Sequence, residues 1–146
     1  MAGWRLIPAN PPPAAEPPPV WLVGAERWPR ALLRAELIER GYEASGFARL
    51  ADLVSALPAA REPPVVIVLD LSGQALAPAA LAALAATGIP VLAVAGATEA
   101  AAPAVRGFPW AALLRRPVTL GQIADAVARA APGASRGRAR PAGVVG

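Results

Sequence analysis

Five consecutive apolar residues, Val65 to Leu69, constrain the fold of this chain more than any other segment, and they end at a single carboxylate, Asp70. Four of the five are β-branched, which favours a strand. Because the side chains of a strand point alternately to its two faces, an unbroken apolar run predicts burial on both faces. Strands of this kind belong to parallel sheets that helices cover on both sides. The run therefore predicts an α/β fold with Asp70 at the carboxyl end of a central strand.

The rest of the chain alternates short apolar runs with segments of helical periodicity, which is typical of consecutive βα units. Strands are predicted at residues 20–23, 42–47, 65–69, 89–94 and 113–114, and helices at 29–40, 50–57, 78–88, 98–103 and 119–131. The 42–47 strand is the weakest and is expected at a sheet edge. Right-handed crossovers then favour a three-layer α/β/α sandwich with a five-stranded parallel sheet of order 2-1-3-4-5.

Individual residues define the helix boundaries in this scheme. Pro29 suits the first position of the first helix, in which Leu33 and Leu37 are expected to face the core. Thr98 and Thr119 are the expected N-caps of the last two helices. A further set of residues ends or shortens the helices, namely Gly41, Pro58, Gly88 and Pro103.

The 146 residues suffice for one domain, predicted at 20–131. The leader at 1–19 holds seven prolines and is interpreted as a disordered, extended spacer or, alternatively, as a ligand for a proline-reading domain. The tail at 132–146 carries Arg136, Arg138 and Arg140, which account for most of the net charge of +4. We interpret it as a disordered, solvated segment, with contact to nucleic acid or acidic lipid as the alternative. Since the domain itself is close to neutral, we expect no nucleic-acid partner.

The composition excludes several classes of chemistry. The chain has no Cys, His or Lys, so thiolate and imidazole metal sites, Ser–His–Asp or Cys–His catalysis and phosphate-loop lysines are excluded. No stretch reaches the roughly 18 uninterrupted apolar residues of a membrane span, and the N-terminus lacks the long apolar segment of a secretory signal. We therefore expect a cytoplasmic protein that is not an enzyme and does not enter a membrane.

The two strongest strands end differently. The 20–23 run ends at Gly24-Ala25, whereas the 65–69 run ends at Asp70. In a parallel sheet both ends open onto the same edge, where such folds keep their functional sites. Half of an acidic site is therefore expected there, and the other half is missing.

The domain resembles the receiver domain of two-component response regulators, which is CheY-like and flavodoxin-like in fold. The resemblance covers residues 20–131. It rests on five segments, Val20-Trp21-Leu22-Val23, Leu37 to Glu43, Pro64 to Leu71, Ile89-Pro90-Val91 and Arg116-Pro117. It implies a role in phosphorelay signal transduction.

The same resemblance implies which receiver residues are replaced at this edge of the sheet. Asp70 stands at the phosphoacceptor position, while Gly24 and Ala25 stand where receivers carry the acidic pair that binds Mg²⁺. Ala95 replaces a small hydroxyl residue, and Arg116 replaces a lysine that precedes a proline. The resemblance is therefore to a degenerate receiver, or pseudo-receiver, in which we expect Mg²⁺ binding to be lost or very weak and no other cofactor to be present.

Two charged residues near this edge have alternative interpretations. Glu26 is either a substitute metal ligand beside Asp70 or a carboxylate that complements the dipole of the first helix. Arg116 is a candidate charge partner for Asp70, and such an ion pair would hold the domain in one conformation.

We expect this pseudo-receiver to act as a protein-interaction module in bacterial signalling, independently of phosphorylation. The expected contact face, to a partner or a second copy, comprises the fourth helix, the fifth strand and the fifth helix, with 97–107 as a mobile element. Trp28 and Trp110 are either aromatic anchors for the partner or, as we expect, packed against the domain. The alternatives are a phosphorelay receiver using Asp70, Glu26 and Arg116 with an atypical metal shell, and an unrelated flavodoxin-like ligand-binding domain.

Overall fold

A computed structural model describes residues 16–131 as five strands and six α-helices in alternation along most of the chain. The strands are β1 (Pro19–Val23), β2 (Glu43–Phe47), β3 (Val66–Asp70), β4 (Val91–Ala95) and β5 (Ala112–Arg115). The helices are α1 (Arg27–Glu39), α2 (Leu50–Ala56), α3 (Pro78–Ala86), α4 (Ala97–Ala101), α5 (Pro103–Arg106) and α6 (Leu120–Ala130), with a 3-10 turn at Leu57–Ala59.

The sheet is entirely parallel and has the order β2-β1-β3-β4-β5, which confirms the predicted topology. β2 lies at an edge, as expected, and β3 lies at the centre. Helices cover both faces, because every parallel neighbour must be reached by a crossover connection.

Two apolar cores lie on opposite sides of the sheet. Val66 and Val68 of β3 pack with α1 and α6, whereas Ile67 and Leu69 pack with α2, α3 and α5. These four side chains are each 1% exposed or less. The unbroken apolar run of β3 is therefore explained by burial on both faces, as predicted.

Several helix boundaries agree with the sequence predictions. Leu33 and Leu37 are buried on the inner face of α1. Gly41 follows this helix with φ of +97°, a conformation that side-chain-bearing residues rarely adopt. Thr119 caps α6, since its Oγ1 accepts from the Gln122 N–H at 3.0 Å and the Gln122 side chain accepts from the Thr119 N–H at 2.9 Å.

Other boundaries were predicted wrongly. α1 begins at Arg27, so Pro29 is its third residue, where the missing N–H is also harmless. Thr98 lies inside α4 and is not its N-cap; the cap position is Gly96, whose N–H donates to Glu99 Oε1 at 2.7 Å. Pro103 starts a separate helix instead of ending one, which makes six α-helices where five were predicted.

The observed strand boundaries differ slightly from the predicted boundaries of the domain and its strands. β1 begins at Pro19, inside the predicted leader, and β4 spans Val91–Ala95 where 89–94 was predicted. Most of the predicted leader and the whole of the predicted tail lie outside the described residues. No helix within 16–131 has the length and apolarity needed to cross a bilayer.

Candidate functional site

The carboxyl ends of four neighbouring strands form one edge of the sheet. Asp70 is the last residue of β3, and Ala95 is the last residue of β4. Gly24 follows β1 directly, and Arg116 follows β5. Because the strands are parallel and in register, the sheet brings together four of the sequence-predicted site positions.

Both oxygens of the Asp70 carboxylate have hydrogen-bond donors. Oδ2 accepts from Arg116 Nη2 at 2.5 Å, which makes a charge-assisted ion pair. Oδ1 accepts from the Ser72 N–H at 3.0 Å, an arrangement of the Asx-turn type. The Asp70 side chain is 25% exposed and that of Arg116 is 40% exposed. The predicted charge partner therefore contacts Asp70 at a half-buried position.

The main chain around Arg116 is held by the sheet. Its N–H donates to the Ala95 carbonyl at 2.9 Å, which extends the β4–β5 ladder by one residue. The peptide bond between Arg116 and Pro117 is cis. Leu71, immediately after Asp70, likewise donates to the Val94 carbonyl at 2.9 Å. The backbone on both sides of the ion pair is thus anchored to β4.

A second arginine, Arg30, contacts Gly24, and the sequence analysis missed this contact. Arg30 of α1 folds back so that its Nη1 donates to the Gly24 carbonyl at 2.6 Å. Its aliphatic part lies over Gly24 and Gly46, where added Cβ atoms would be 3.5 Å and 3.2 Å from Arg30 carbons. No local motif marks Arg30, since it is one of several arginines in α1 and its partner is a backbone carbonyl.

An open cleft of about 440 Å³ runs along this edge. Glu26, Asp70 and Glu99 are its acidic side chains. Glu99 is engaged by the Gly96 N–H, and Glu26 stands at the N-cap position of α1 without a capping hydrogen bond from its side chain. Within residues 16–131, no three acidic side chains are gathered closely enough to form a metal-binding group. Glu26 and Asp70 therefore share a cleft in which no third acidic side chain completes a metal-binding group.

Glu99 and Ser72 were also missed as residues of this edge. The signal for Glu99 is its position three residues after Gly96, which is the spacing of a capping box, whereas the sequence analysis expected Thr98 to be the N-cap. The signal for Ser72 is its position two residues after an aspartate, where its N–H can meet the carboxylate.

The two tryptophans have different environments. Trp28 is 72% exposed within α1, so the expectation that it packs against the domain is wrong. Trp110 is half-buried, with its indole N–H donating to the Val105 carbonyl at 2.7 Å and its ring centroid 4.2 Å from that of Phe108. For Trp110 the packed interpretation is confirmed, because its one polar atom is satisfied within the chain.

Comparisons with known proteins find structural but not sequence relatives. No family model matches the chain, and no curated protein matches it. A response regulator receiver protein from Pseudomonas putida aligns over 80% of this chain and 99% of its own, with 22% identity and a TM-score of 0.66. A response regulator receiver domain protein from Clostridium thermocellum aligns over 82% and 96%, with 16% identity and a TM-score of 0.64.

The receiver domain of NtrX from Brucella abortus aligns over 76% of this chain and 96% of its own, with 23% identity and a TM-score of 0.60. The chain has the fold of response-regulator receiver domains. At these sequence identities the likeness shows only a shared backbone fold. The chemistry of this edge must be judged from the residues that this chain carries there.

The residues at this edge fit Mg²⁺ poorly. Mg²⁺ requires oxygen ligands in near-octahedral geometry, including one or two carboxylates. Gly24 and Ala25 have no side-chain oxygen, and the Asp70 carboxylate already contacts a guanidinium. A cation approaching Asp70 would have to displace Arg116 or share the carboxylate with a like charge. The charge of the Asp70 carboxylate is therefore neutralised within the chain, by Arg116.

Proposed function

We propose that this chain is a pseudo-receiver, a receiver-fold module that acts through protein contacts in two-component signalling without being phosphorylated. The observation that carries the proposal is the 2.5 Å ion pair between Asp70 and Arg116, at an edge where Gly24 and Ala25 bear no carboxylate. In this proposal the chain is not an enzyme and has no cofactor.

The electrostatics of phosphoryl transfer support the proposal. Transfer to a carboxylate depends on positioning and on a metal ion that offsets charge on the phosphoryl oxygens. A carboxylate about 4 Å from a cation contributes about 4 kcal/mol per unit of cation charge at an effective dielectric of about 20, before desolvation. Without acidic side chains at positions 24 and 25, Asp70 alone cannot replace that attraction. Arg116 supplies a single, fixed positive charge in place of the metal.

The ion pair also provides a reason for a constant conformation. A receiver that is switched by phosphate needs two arrangements of its edge, with the ligand binding one of them better. Here the Asp70 oxygens are held by Arg116 and the Ser72 N–H without a ligand. We infer that the domain presents its contact surface without phosphorylation, and that its signalling effect depends on the presence of its partner.

A protein partner is favoured over nucleic acid by the charge of the domain. Residues 16–131 contain ten Arg and ten Asp or Glu, so this part of the chain is formally neutral. Nucleic-acid binding depends chiefly on an excess of positive charge. The face that the sequence analysis favoured, around α4, α5, β5 and α6, stays a prediction.

The direct test is phosphorylation of the purified chain with acetyl phosphate and Mg²⁺, followed by intact-mass measurement. We expect no phosphoryl adduct above that of Asp70→Asn. Asp52→Asn is the matched control, since Asp52 is an exposed aspartate of α2 that pairs with Arg49 away from the edge. A Mg²⁺-dependent adduct that disappears in Asp70→Asn and persists in Asp52→Asn would establish the atypical phosphorelay receiver instead.

A thermal-shift series with Mg²⁺, nucleotides and flavins tests the remaining alternative, that of an unrelated flavodoxin-like ligand-binding domain. We expect none of these ligands to raise the unfolding temperature, because ligands stabilise a protein only when they bind its native state. A saturable increase with a nucleotide or flavin would favour the unrelated flavodoxin-like ligand-binding domain.

A further inference from the structure

The large exposed apolar side chains of the described residues all lie on one helix. They are Trp28 at 72% exposure, Leu32 at 52% and Ile38 at 45%, and each belongs to α1. The inner face of the same helix is already buried through Leu33 and Leu37. A surface helix of a domain that acts alone is normally polar on its outer face. The outer face of α1 therefore has the character of a contact surface.

The spacing along this face is that of a helix-pairing seam. Trp28, Ala31, Ala35 and Ile38 follow one another at steps of three, four and three residues, as a and d positions do in a heptad. Leu32 lies beside them at an e position. Ala31 and Ala35 are exposed and small, so a second helix can approach closely at the middle of the seam. We call these five residues the outer seam.

Opposite charges flank the outer seam. Arg34, at a g position, lies on the side of β2, since its Nε donates to the Ala44 carbonyl at 2.8 Å. Glu36 lies on the side of α6, because it shares Arg40 with Asp125 of that helix. Glu39, at an e position, is three residues after Glu36 and lies on the same side.

The carboxylate of Glu39 is exposed and has no ion-pair partner within residues 16–131, and Arg34 likewise has no acidic partner in that range. Arg40, by contrast, is fully engaged. Its hydrogen bond to Asp125 raises the pKa of its guanidinium above the ordinary value, and the charge of Glu36 adds to this. The seam therefore has on one flank Arg34, and on the other Glu39, neither of which has an ion-pair partner in that range.

We propose that two copies of this chain associate through the outer seam, with their α1 helices parallel about a two-fold axis. In a parallel pair opposite flanks meet, so Arg34 faces the partner's Glu39, as g and e positions do. An antiparallel pair would instead bring the arginine flanks together and the glutamate flanks together. Charge complementarity therefore favours a second copy of this chain as the partner, and it favours the parallel orientation of the two helices.

This inference rests on the proposed function in one respect, because it names the partner of the interaction module.

The association should be weak and reversible. A helix of 13 residues is about 20 Å long, which by itself offers less than the roughly 800 Å² per subunit of a standard interface.

Sedimentation equilibrium of the full chain, at micromolar to millimolar concentrations, tests the inference. We expect a monomer–dimer equilibrium that Trp28→Ala weakens about thirtyfold or more, as the loss of a large exposed aromatic contact does. Glu39→Arg should weaken it about threefold to tenfold, since each dimer loses two exposed ion pairs and gains two repulsions. Arg34→Glu combined with Glu39→Arg should restore the original affinity. Arg61→Glu, an exposed arginine outside α1, is the matched control and should change nothing.

A chain that stays monomeric throughout, or a dimer that Trp28→Ala leaves intact, would overturn the proposal. A double charge reversal that fails to restore association would overturn the parallel arrangement. Circular dichroism checks that each variant is folded, and Leu32→Ser replaces Trp28→Ala if that variant does not fold. A monomer without a phosphoryl adduct refutes only this inference, whereas a dimer that is phosphorylated on Asp70 refutes only the proposed function.

Discussion

The middle of the sheet and its carboxyl edge differ in the side chains that they carry and in how these are paired. In the middle, β3 and its neighbours form a continuous apolar layer with no buried polar or charged side chain among the described residues. At the edge, Gly24, Ala25 and Ala95 surround one carboxylate that an arginine neutralises.

This difference shows that fold and chemistry depend on sequence in different ways. A core needs apolar residues of about the right volume in the right period, and many combinations satisfy that requirement. A phosphoryl-transfer site needs particular atoms at particular distances, so one substitution can remove its function. The edge can therefore change its chemistry while the sheet beneath it keeps the same topology.

The largest effect is expected from the core. Leu53 of α2 is fully buried, so Leu53→Ala should lower the free energy of unfolding by about 2–5 kcal/mol in urea denaturation. Ser55→Ala, at an exposed position of the same helix, is the control and should stay within about 0.5 kcal/mol. Equal effects at both positions would contradict the contrast between the core and the surface.

A smaller effect is expected at the end of a helix beside the edge. Thr119→Ala removes the capping hydrogen bond to Gln122 and should cost about 1 kcal/mol in the same assay. Thr98→Ala is the matched control, since Thr98 lies within α4 and caps nothing there. If Thr98→Ala were the more costly change, the assignment of Gly96 as the cap position would be wrong.

At the edge itself, Arg116→Ala should lower the free energy of unfolding by about 1 kcal/mol or less. The reason is that both partners of the ion pair are partly exposed, so water screens their attraction. The loss should shrink further at high salt. Arg115→Ala, the exposed neighbour on β5, controls for removal of an arginine. A loss above about 2 kcal/mol would mean that the pair behaves as a buried one.

The smallest effect is expected when carboxylates are introduced at positions 24 and 25, and it is measured as a shift in unfolding temperature on adding Mg²⁺. In Gly24→Asp combined with Ala25→Asp, the new Cβ at 24 meets Arg30 at an ordinary contact distance of 3.5 Å, whereas without metal the two added carboxylates repel Asp70 and each other. Added Mg²⁺ should then raise the unfolding temperature of this variant and not that of the parent. Equal shifts in both proteins would show that the native edge already binds Mg²⁺.

Much of the fold could be predicted from the sequence because its signals are local. The apolar run of β3, the period of Leu33 and Leu37, and glycine at position 41 each depend on neighbouring residues only. The errors fell where two local signals compete: Thr98 and Gly96 both offer a cap for α4, and Pro103 can end one helix or begin another.

The candidate site was predictable in part. Asp70 could be placed at the carboxyl end of a central strand from the pattern alone, and the resemblance to receiver domains implied Arg116 as its charge partner. Arg30 could not be predicted, since its guanidinium binds a backbone carbonyl and any flexible arginine near the end of β1 has the same sequence signature.

Taken alone, the sequence determined the α/β class from its periodicity, the strand order from the crossover rule for five parallel strands, and the lack of a side-chain carboxylate at positions 24 and 25. The tertiary structure decided which side chains meet at the edge and which remain exposed on α1. The physical reason is the length of the side chains involved. Those of Arg30 and Trp28 reach several ångströms from their backbone positions, so their surroundings depend on distant segments that local patterns do not encode.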